Sequence, residues 1–322
     1  MNPIVSTLRH FEMNFIKSIF IIIALSFASQ IVIAQQFPYL SGLEHTRHIW
    51  NPAAIQSEGA NKVDLYARQQ WFGLGISQAP RYINASLQVP IEDYNMSVGG
   101  GLYNNATGPV SSSGLTLNYA YHLDGVLSRY GKLSFGLSGT LNSIAFDATD
   151  EHYNDQNDPL LTGGSNSTFF PNLGGGIYYL SSHRKFKDNF FFMGFSAYQA
   201  FSSNVLIQTS NFQRELHLFG QIGTNIPFLG GRIEPSLYIN YTNPEIVTFT
   251  INALYEVEEV FWTGLSYSTV SDILIQGGVT LPGFGNGRNI LKIGMVGNLN
   301  VGSALTKLGP GLEFYISYEF EK

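Results

Sequence analysis

The sequence predicts an all-β protein, a transmembrane antiparallel β-barrel of about fourteen strands preceded by an N-terminal periplasmic or lumenal segment. Three observations lead there. From about residue 62 to the end, apolar and polar residues alternate with a period of two, and helical spacing is scarce. Hydrophobic residues make up 44% of the chain and charged residues only 12%, about half the charged share of a soluble domain. The longest connections between alternating segments fall on one side, as they do when a barrel has short periplasmic turns and long outer loops.

At the start of the chain, Lys17 precedes an apolar run over 19–28, and Val32 and Ala34 place small residues at the positions of a cleavage site. That order of charge, apolar run and small residues is a secretory signal, with mature protein expected from Gln35. Met13 opens a more usual signal than Met1 does, so the start of translation stays open between them. An uncleaved anchor helix is the weaker reading, because the run falls short of the roughly 20 residues a spanning helix needs. The expected organisation is a signal peptide over 1–34, a plug or periplasmic segment over 35–61 and a barrel over 62–322.

The segment 35–61 carries Pro38, Gly42, Pro52 and Gly59 with little alternation, and is expected to cap the periplasmic mouth or fold into the lumen. The strands are then expected near 62–68, 82–89, 96–103, 114–121, 132–144, 173–180, 190–198, 214–225, 232–240, 247–256, 260–267, 273–281, 290–298 and 310–320. The fifth shows the pattern plainly. Leu133, Phe135, Leu137 and Leu141 lie on one face, and Ser134, Gly136, Ser138 and Thr140 on the other. In lipid every backbone polar group needs a partner within the protein, so a membrane sheet closes on itself and turns its apolar face outward. With the N-terminus inside, the outer connections are expected at 69–81, 104–113, 145–172, 199–213, 241–246, 268–272 and 299–309. The last strand ends on Tyr318 and Phe320, an aromatic-ended strand like those read by barrel-insertion machinery.

Composition excludes several classes. With no cysteine, disulfides and thiolate metal sites are absent. Removing 1–34 leaves 15 basic and 22 acidic side chains, with no basic stripe for nucleic acid. Gly136-Leu137-Ser138-Gly139, Gly194-Phe195-Ser196 and Gly264-Leu265-Ser266 sit inside strands and do not complete a nucleophile elbow. His122 and His217 are read as rim or lumen hydrogen-bonders, and a lipid hydrolase is the remote rival. Asp147, Asp150, Glu151, His152, Asp155 and Asp158 match no calcium-loop spacing and read as a solvated outer loop. The glycine runs at 99–101, 174–176 and 283–287 lack the helix that cradles a phosphate, and are read as relieving crowding at bends and turns. His183-Arg184-Lys185-Phe186-Lys187 is an inner turn that meets a periplasmic partner or lipid phosphates, or is simply solvated. No catalytic residue, metal or cofactor is expected.

Trp50-Asn51-Pro52-Ala53, then Ala67-Arg68-Gln69-Gln70-Trp71-Phe72-Gly73-Leu74 with Ala79-Pro80, and Tyr119-Ala120-Tyr121-His122-Leu123 occur in that order. Asn157-Asp158-Pro159, Pro171-Asn172 and Gly174-Gly175-Gly176-Ile177-Tyr178-Tyr179 follow. Together they resemble the PorP/SprF family of Bacteroidota outer-membrane proteins. The resemblance implies a non-enzymatic barrel of the type IX secretion system, in some members coupled to gliding motility. Its implied partners are a secreted surface protein or adhesin, other secretion subunits and outer-membrane lipid. The residues that carry it are Asn51, Pro52, Ala53, Arg68, Gln70, Trp71, Ala79, Pro80, Asp158 and Pro159.

Two readings of these residues stay open. Arg68 stacks on Trp71 to order a loop over the lumen, or Trp71 is an ordinary interfacial tryptophan. Asn51-Pro52 is read as fixing a turn in the N-terminal segment. The rival function is a passive or ligand-selective channel, suggested by the Ser, Thr, Asn and Gln of the inward faces.

Overall fold

The computed structural model describes residues 44–55, 60–76, 78–146, 166–182, 189–200, 204–207, 210–213, 215–243, 246–258, 260–269, 272–284, 289–300 and 310–321. All of them lie in the unit formed by 35–322. The expected signal peptide, Asp158, Pro159, the acidic stretch 147–158 and the basic turn 183–187 lie outside the described residues.

The strands are β1 (Asn61–Gln69), β2 (Arg81–Ile91), β3 (Met96–Thr107), β4 (Val110–Asp124), β5 (Lys132–Phe146), β6 (Asn166–Leu180), β7 (Phe190–Tyr198), β8 (Asn204–Ile207) and β9 (Ser210–Gln213). Then come β10 (His217–Phe228), β11 (Gly231–Asn243), β12 (Ile246–Val257), β13 (Phe261–Ser268), β14 (Asp272–Pro282), β15 (Ile290–Asn300) and β16 (Gly311–Phe320). All but β8 and β9 form one closed antiparallel barrel of fourteen strands, sealed where β1 pairs with both β2 and β16. At that seam Leu65 faces Ala85 on one side and Ile316 on the other. Closure leaves no unpaired edge in the hydrocarbon region, which is what makes a sheet viable there.

The alternation sets which side faces lipid. Along β5, Phe135, Leu137 and Leu141 are exposed, while Ser134 and Ser138 are buried. On β4, Leu115, Leu117, Tyr119 and Tyr121 are likewise exposed, as are Phe249 and Ile251 on β12 and Ile275, Val279 and Leu281 on β14. Such an apolar surface would drive association in water; in a bilayer it is the matched solvent.

Each of the fourteen expected strands has its counterpart, but four expected outer loops are corrected, the loop at 145–172 shrinking to 147–165 as β6 begins at Asn166 and three others also shortening. Between β3 and β4 the connection is only 108–109, because pairing runs on to Thr107↔Val110. The connections at 244–245 and 269–271 are similarly short. In each case backbone pairing continued past the point where side-chain alternation faded. The longest connections, 70–80, 147–165, 199–216 and 301–310, still share one side. Within 199–216 lies an unexpected hairpin, β8 with β9. On the opposite rim, Leu229 and Gly230 both take positive φ, 46° and 77°, the two-residue geometry that suits the twist of a hairpin.

The lumen is not uniformly polar. Tyr66, Tyr82, Tyr198, Phe219, Tyr238, Leu254, Trp262 and Tyr315 point inward from eight strands and form a buried apolar cluster with Trp50. Trp50 belongs to no strand. It arrives on the N-terminal segment, which gives these inward aromatic rings something to pack on.

Candidate functional site

Residues 44–55 lie inside the barrel. They form a single helical turn, α1 (Arg47–Trp50), then Asn51, then a 3-10 turn over Pro52–Ala54. A peptide held there needs its backbone satisfied locally. Asn51 N–H donates to Arg47 O at 2.9 Å, Ala54 N–H to Asn51 O at 3.0 Å, and the Ser196 hydroxyl to Trp50 O. Pro52 opens the 3-10 turn, where its missing N–H costs nothing.

Asn51 fixes the turn to the wall. Its Oδ1 accepts from Ala53 N–H at 2.9 Å, while its Nδ2 donates to Ile177 O on β6 at 3.1 Å and to Phe195 O on β7 at 3.4 Å. The wall beneath it is made of glycine. Gly136 and Gly176 are cross-strand partners on β5 and β6, and a Cβ on Gly176 would lie 2.2 Å from Asn51 Oδ1. Gly176 therefore acts within a strand as part of a seat for the turn, not at a bend as its glycine run suggested, and Gly136 completes that seat.

Arg47 crosses to the other wall. It ion-pairs with Glu234 on β11, and its guanidinium lies 4.2 Å from the centroid of the Phe192 ring. Burial is the largest single influence and opposes its charge, but Glu234, Tyr238 and Tyr178 together outweigh it and hold the guanidinium above the usual arginine pKa. His48 Nε2 meets Ser86 Oγ at 2.8 Å and lies 3.8 Å from Asp64 Oδ2. Burial, helped by Lys62 and opposed by Asp64, lowers the His48 pKa to about 4. His45 is stacked on Tyr315 at 4.8 Å and tilted against Trp262 at 4.3 Å. Burial first, then Lys292 and Lys62, push its pKa well below the usual histidine value. Glu44, its side chain buried and its Oε1 3.7 Å from His45 Nε2, has its pKa raised to about 7, chiefly by burial.

The inner half of the lumen keeps a cavity of about 370 Å3 lined by charged groups from strands and segment alike, among them Lys62, Lys132, Arg232, Glu256 and Lys292. Glu256 accepts from Arg232 Nε at 3.0 Å and lies 3.5 Å from Lys292 Nζ. Asp64 accepts from Gln88 Nε2 at 2.8 Å and from Tyr315 OH at 3.0 Å.

Of the residues singled out in the sequence, Asn51, Pro52 and Ala53 come together on the wall as described and are buried. Arg68 turns into the lumen on β1, with Nε 3.3 Å from Glu313 Oε1 on β16. Gln70 N–H donates to Pro80 O at 2.8 Å, closing the base of the 70–80 connection. Trp71 sits in that connection at φ 58°, and Ala79 is buried near its other end. Those of the family-like residues that are described thus form two groups, one in the lumen and one at the outer rim of β1 and β2.

His122 has the neighbouring serines that the sequence did not reveal. Its Nε2 meets Ser97 Oγ at 2.8 Å and its Nδ1 meets Ser134 Oγ at 2.7 Å. A neutral imidazole has one donor and one acceptor nitrogen, and here hydroxyls occupy both. His217 Nδ1 meets Glu215 O at 3.0 Å.

Sequence reasoning missed Glu44, His45, Arg47, His48 and Glu234. A signal was present: Glu44-His45-Thr46-Arg47-His48 packs four ionisable groups into five positions of a charge-poor chain. Glu234 also interrupts an inward strand face with a carboxylate that needs a partner.

A closed, lipid-faced barrel with a peptide segment held across its lumen defines the class: an outer-membrane β-barrel protein. Residues 32–318 match the family described as type IX secretion system membrane protein PorP/SprF, and the chain belongs to that family. No curated protein matches its sequence. Among solved structures, the fold is similar to that of the CymD monoaromatic hydrocarbon channel, with a TM-score of 0.53, 11% identity, and coverage of 86% of this chain and 93% of that one. A FadL homologue from Pseudomonas aeruginosa is a more distant likeness, with a TM-score of 0.46, 9% identity, and coverage of 84% of this chain and 92% of that one. At 11% identity the likeness to the first of these shows the fold alone.

Proposed function

We propose that this barrel is a non-enzymatic outer-membrane subunit of the type IX secretion system that assists secretion or cell-surface attachment of a partner protein such as a gliding adhesin. Residues 44–55 act in it as a plug. The observation that carries this reading is the segment itself: Asn51 bonds to one wall, Arg47 pairs with another, and Trp50 fills the space between. Together with family membership, that arrangement suits an anchoring or assembly role better than open diffusion. The charged inner cavity gives periplasmic subunits a polar surface to meet.

Deleting the gene should abolish surface display of the partner, measured by antibody labelling of intact cells, while other outer-membrane proteins are displayed normally. Unchanged display of every secreted surface protein in the deletion strain would remove the proposal. The second reading, a passive or ligand-selective channel, draws support from the cavities that persist on either side of the segment.

A further inference from the structure

The outer half of the lumen holds a second cavity, of about 90 Å3, enclosed by the segment and by β2 to β7. Its lining differs from that of the inner cavity. Among the described residues no carboxylate, lysine or arginine borders it; asparagines, serines, threonines and tyrosines do. His48, the one histidine among the described lining residues, is neutral above pH 5, since burial holds its pKa near 4.

Several of these polar groups are buried without a partner. Asn172 is 5% exposed, and neither its Oδ1 nor its Nδ2 makes a hydrogen bond. Asn84 Oδ1 and Asn118 Oδ1 are in the same state. Each such atom costs about 1–3 kcal/mol until something pairs with it. Beside them Tyr82 and Tyr103 stack with centroids 6.2 Å apart, offering aromatic surface next to unfilled amides. Gly101 of β3 borders the cavity, and a Cβ there would lie 2.9 Å from Ala85 O and 3.2 Å from Ser86 Cβ.

We infer that this cavity binds one unit of a neutral saccharide, its hydroxyls pairing with Asn84, Asn118 and Asn172 and its C–H face lying on the tyrosines. The unfilled atoms are mostly acceptors, so the ligand must bring donors, and Asn172 Nδ2 asks for an acceptor beside them. A sugar hydroxyl is both. A hydrocarbon would leave every one of these atoms unpaired. A charged ligand would find no counter-ion among the described residues of the lining. A peptide strand would find the backbones of β2 to β5 already paired on both sides, and would depend there on side chains alone.

The test uses the full mature protein in lipid nanodiscs, which avoids detergents with sugar headgroups. Calorimetric titration is run with N-acetylglucosamine and maltose, with glucuronate as the charged control and an acetylated, amidated Ser-Asn-Thr peptide as the peptide arm. Saturable binding of a neutral sugar at one per barrel is expected, weakened about tenfold by Asn172→Leu and unchanged by Leu137→Ala on the lipid face. Asn84→Leu gives a second reading should Asn172→Leu fail to fold. The inference is overturned if neither sugar binds the wild type, if both asparagine variants bind as well as the wild type, or if only the peptide binds.

Discussion

Gly136 lies directly beneath Ala53, so close that a Cβ on the glycine would come within 2.2 Å of the Ala53 backbone nitrogen. A strand residue and a residue of the N-terminal segment, far apart in sequence, therefore share one space. Gly136→Ala should lift the turn off the wall at a cost of about 1–3 kcal/mol while leaving the barrel closed. Amide exchange over 44–55 would report it, with Gly139→Ala as the control, since a Cβ there meets only Leu173 Cδ2 at 3.8 Å. Equal protection in both variants would contradict the seat.

The Arg47–Glu234 pair is buried on both sides. Arg47→Met should weaken docking of the segment by about 3–5 kcal/mol, because Glu234 is left charged and unpaired. Adding Glu234→Leu should restore most of that loss. A double variant no better docked than the single one would show that the pair is not what Arg47 contributes.

Opposed titrations set the pH behaviour. Glu44 has a folded pKa of about 7 against an ordinary 4.5, so its contribution is full below pH 4.5 and is lost as pH rises to 7. His48 has a folded pKa of about 4 against 6.5, so its contribution is full above pH 6.5 and is lost as pH falls to 4. Each spans about 3 kcal/mol, and over the shared window they offset one another. Glu44→Gln should make protection of the segment rise with pH between 4 and 6.5. His48→Asn should reduce that rise, leaving more of the fall between 4.5 and 7 visible. Matching pH profiles in the two variants would refute the assignment.

Leu137 is 67% exposed near the middle of β5. Leu137→Arg should destabilise the folded barrel in lipid by about 2–4 kcal/mol, read from urea unfolding in vesicles. A neutral effect would place this face away from hydrocarbon.

In planar bilayers the wild-type barrel should be silent, and Gly136→Ala should give intermittent conductance as the segment lifts. Steady wild-type conductance would favour the channel reading.

How much of this was legible follows from where the information is stored. Strand positions and the lipid face are local: Leu133 to Leu141 alternate with Ser134 to Thr140, and any closed sheet in lipid must turn them the same way. Loop lengths such as 108–109 were not legible, because backbone pairing continues where side chains no longer alternate. The family-like residues could be read in order, but not their grouping. Asn51 and Gly176 are 125 positions apart in the sequence, and only closure of the barrel brings the Asn51 amide onto β6.

By itself, then, the sequence determined an outer-membrane barrel of about fourteen strands and its family, since periodicity and motif order are properties of the chain. Only the tertiary structure decided that residues 44–55 cross the lumen, that inward glycines seat Asn51, and that Glu234 answers Arg47. Those facts depend on which residues meet after β1 pairs with β16, and side-chain contact across a closed lumen leaves no period for a sequence to show.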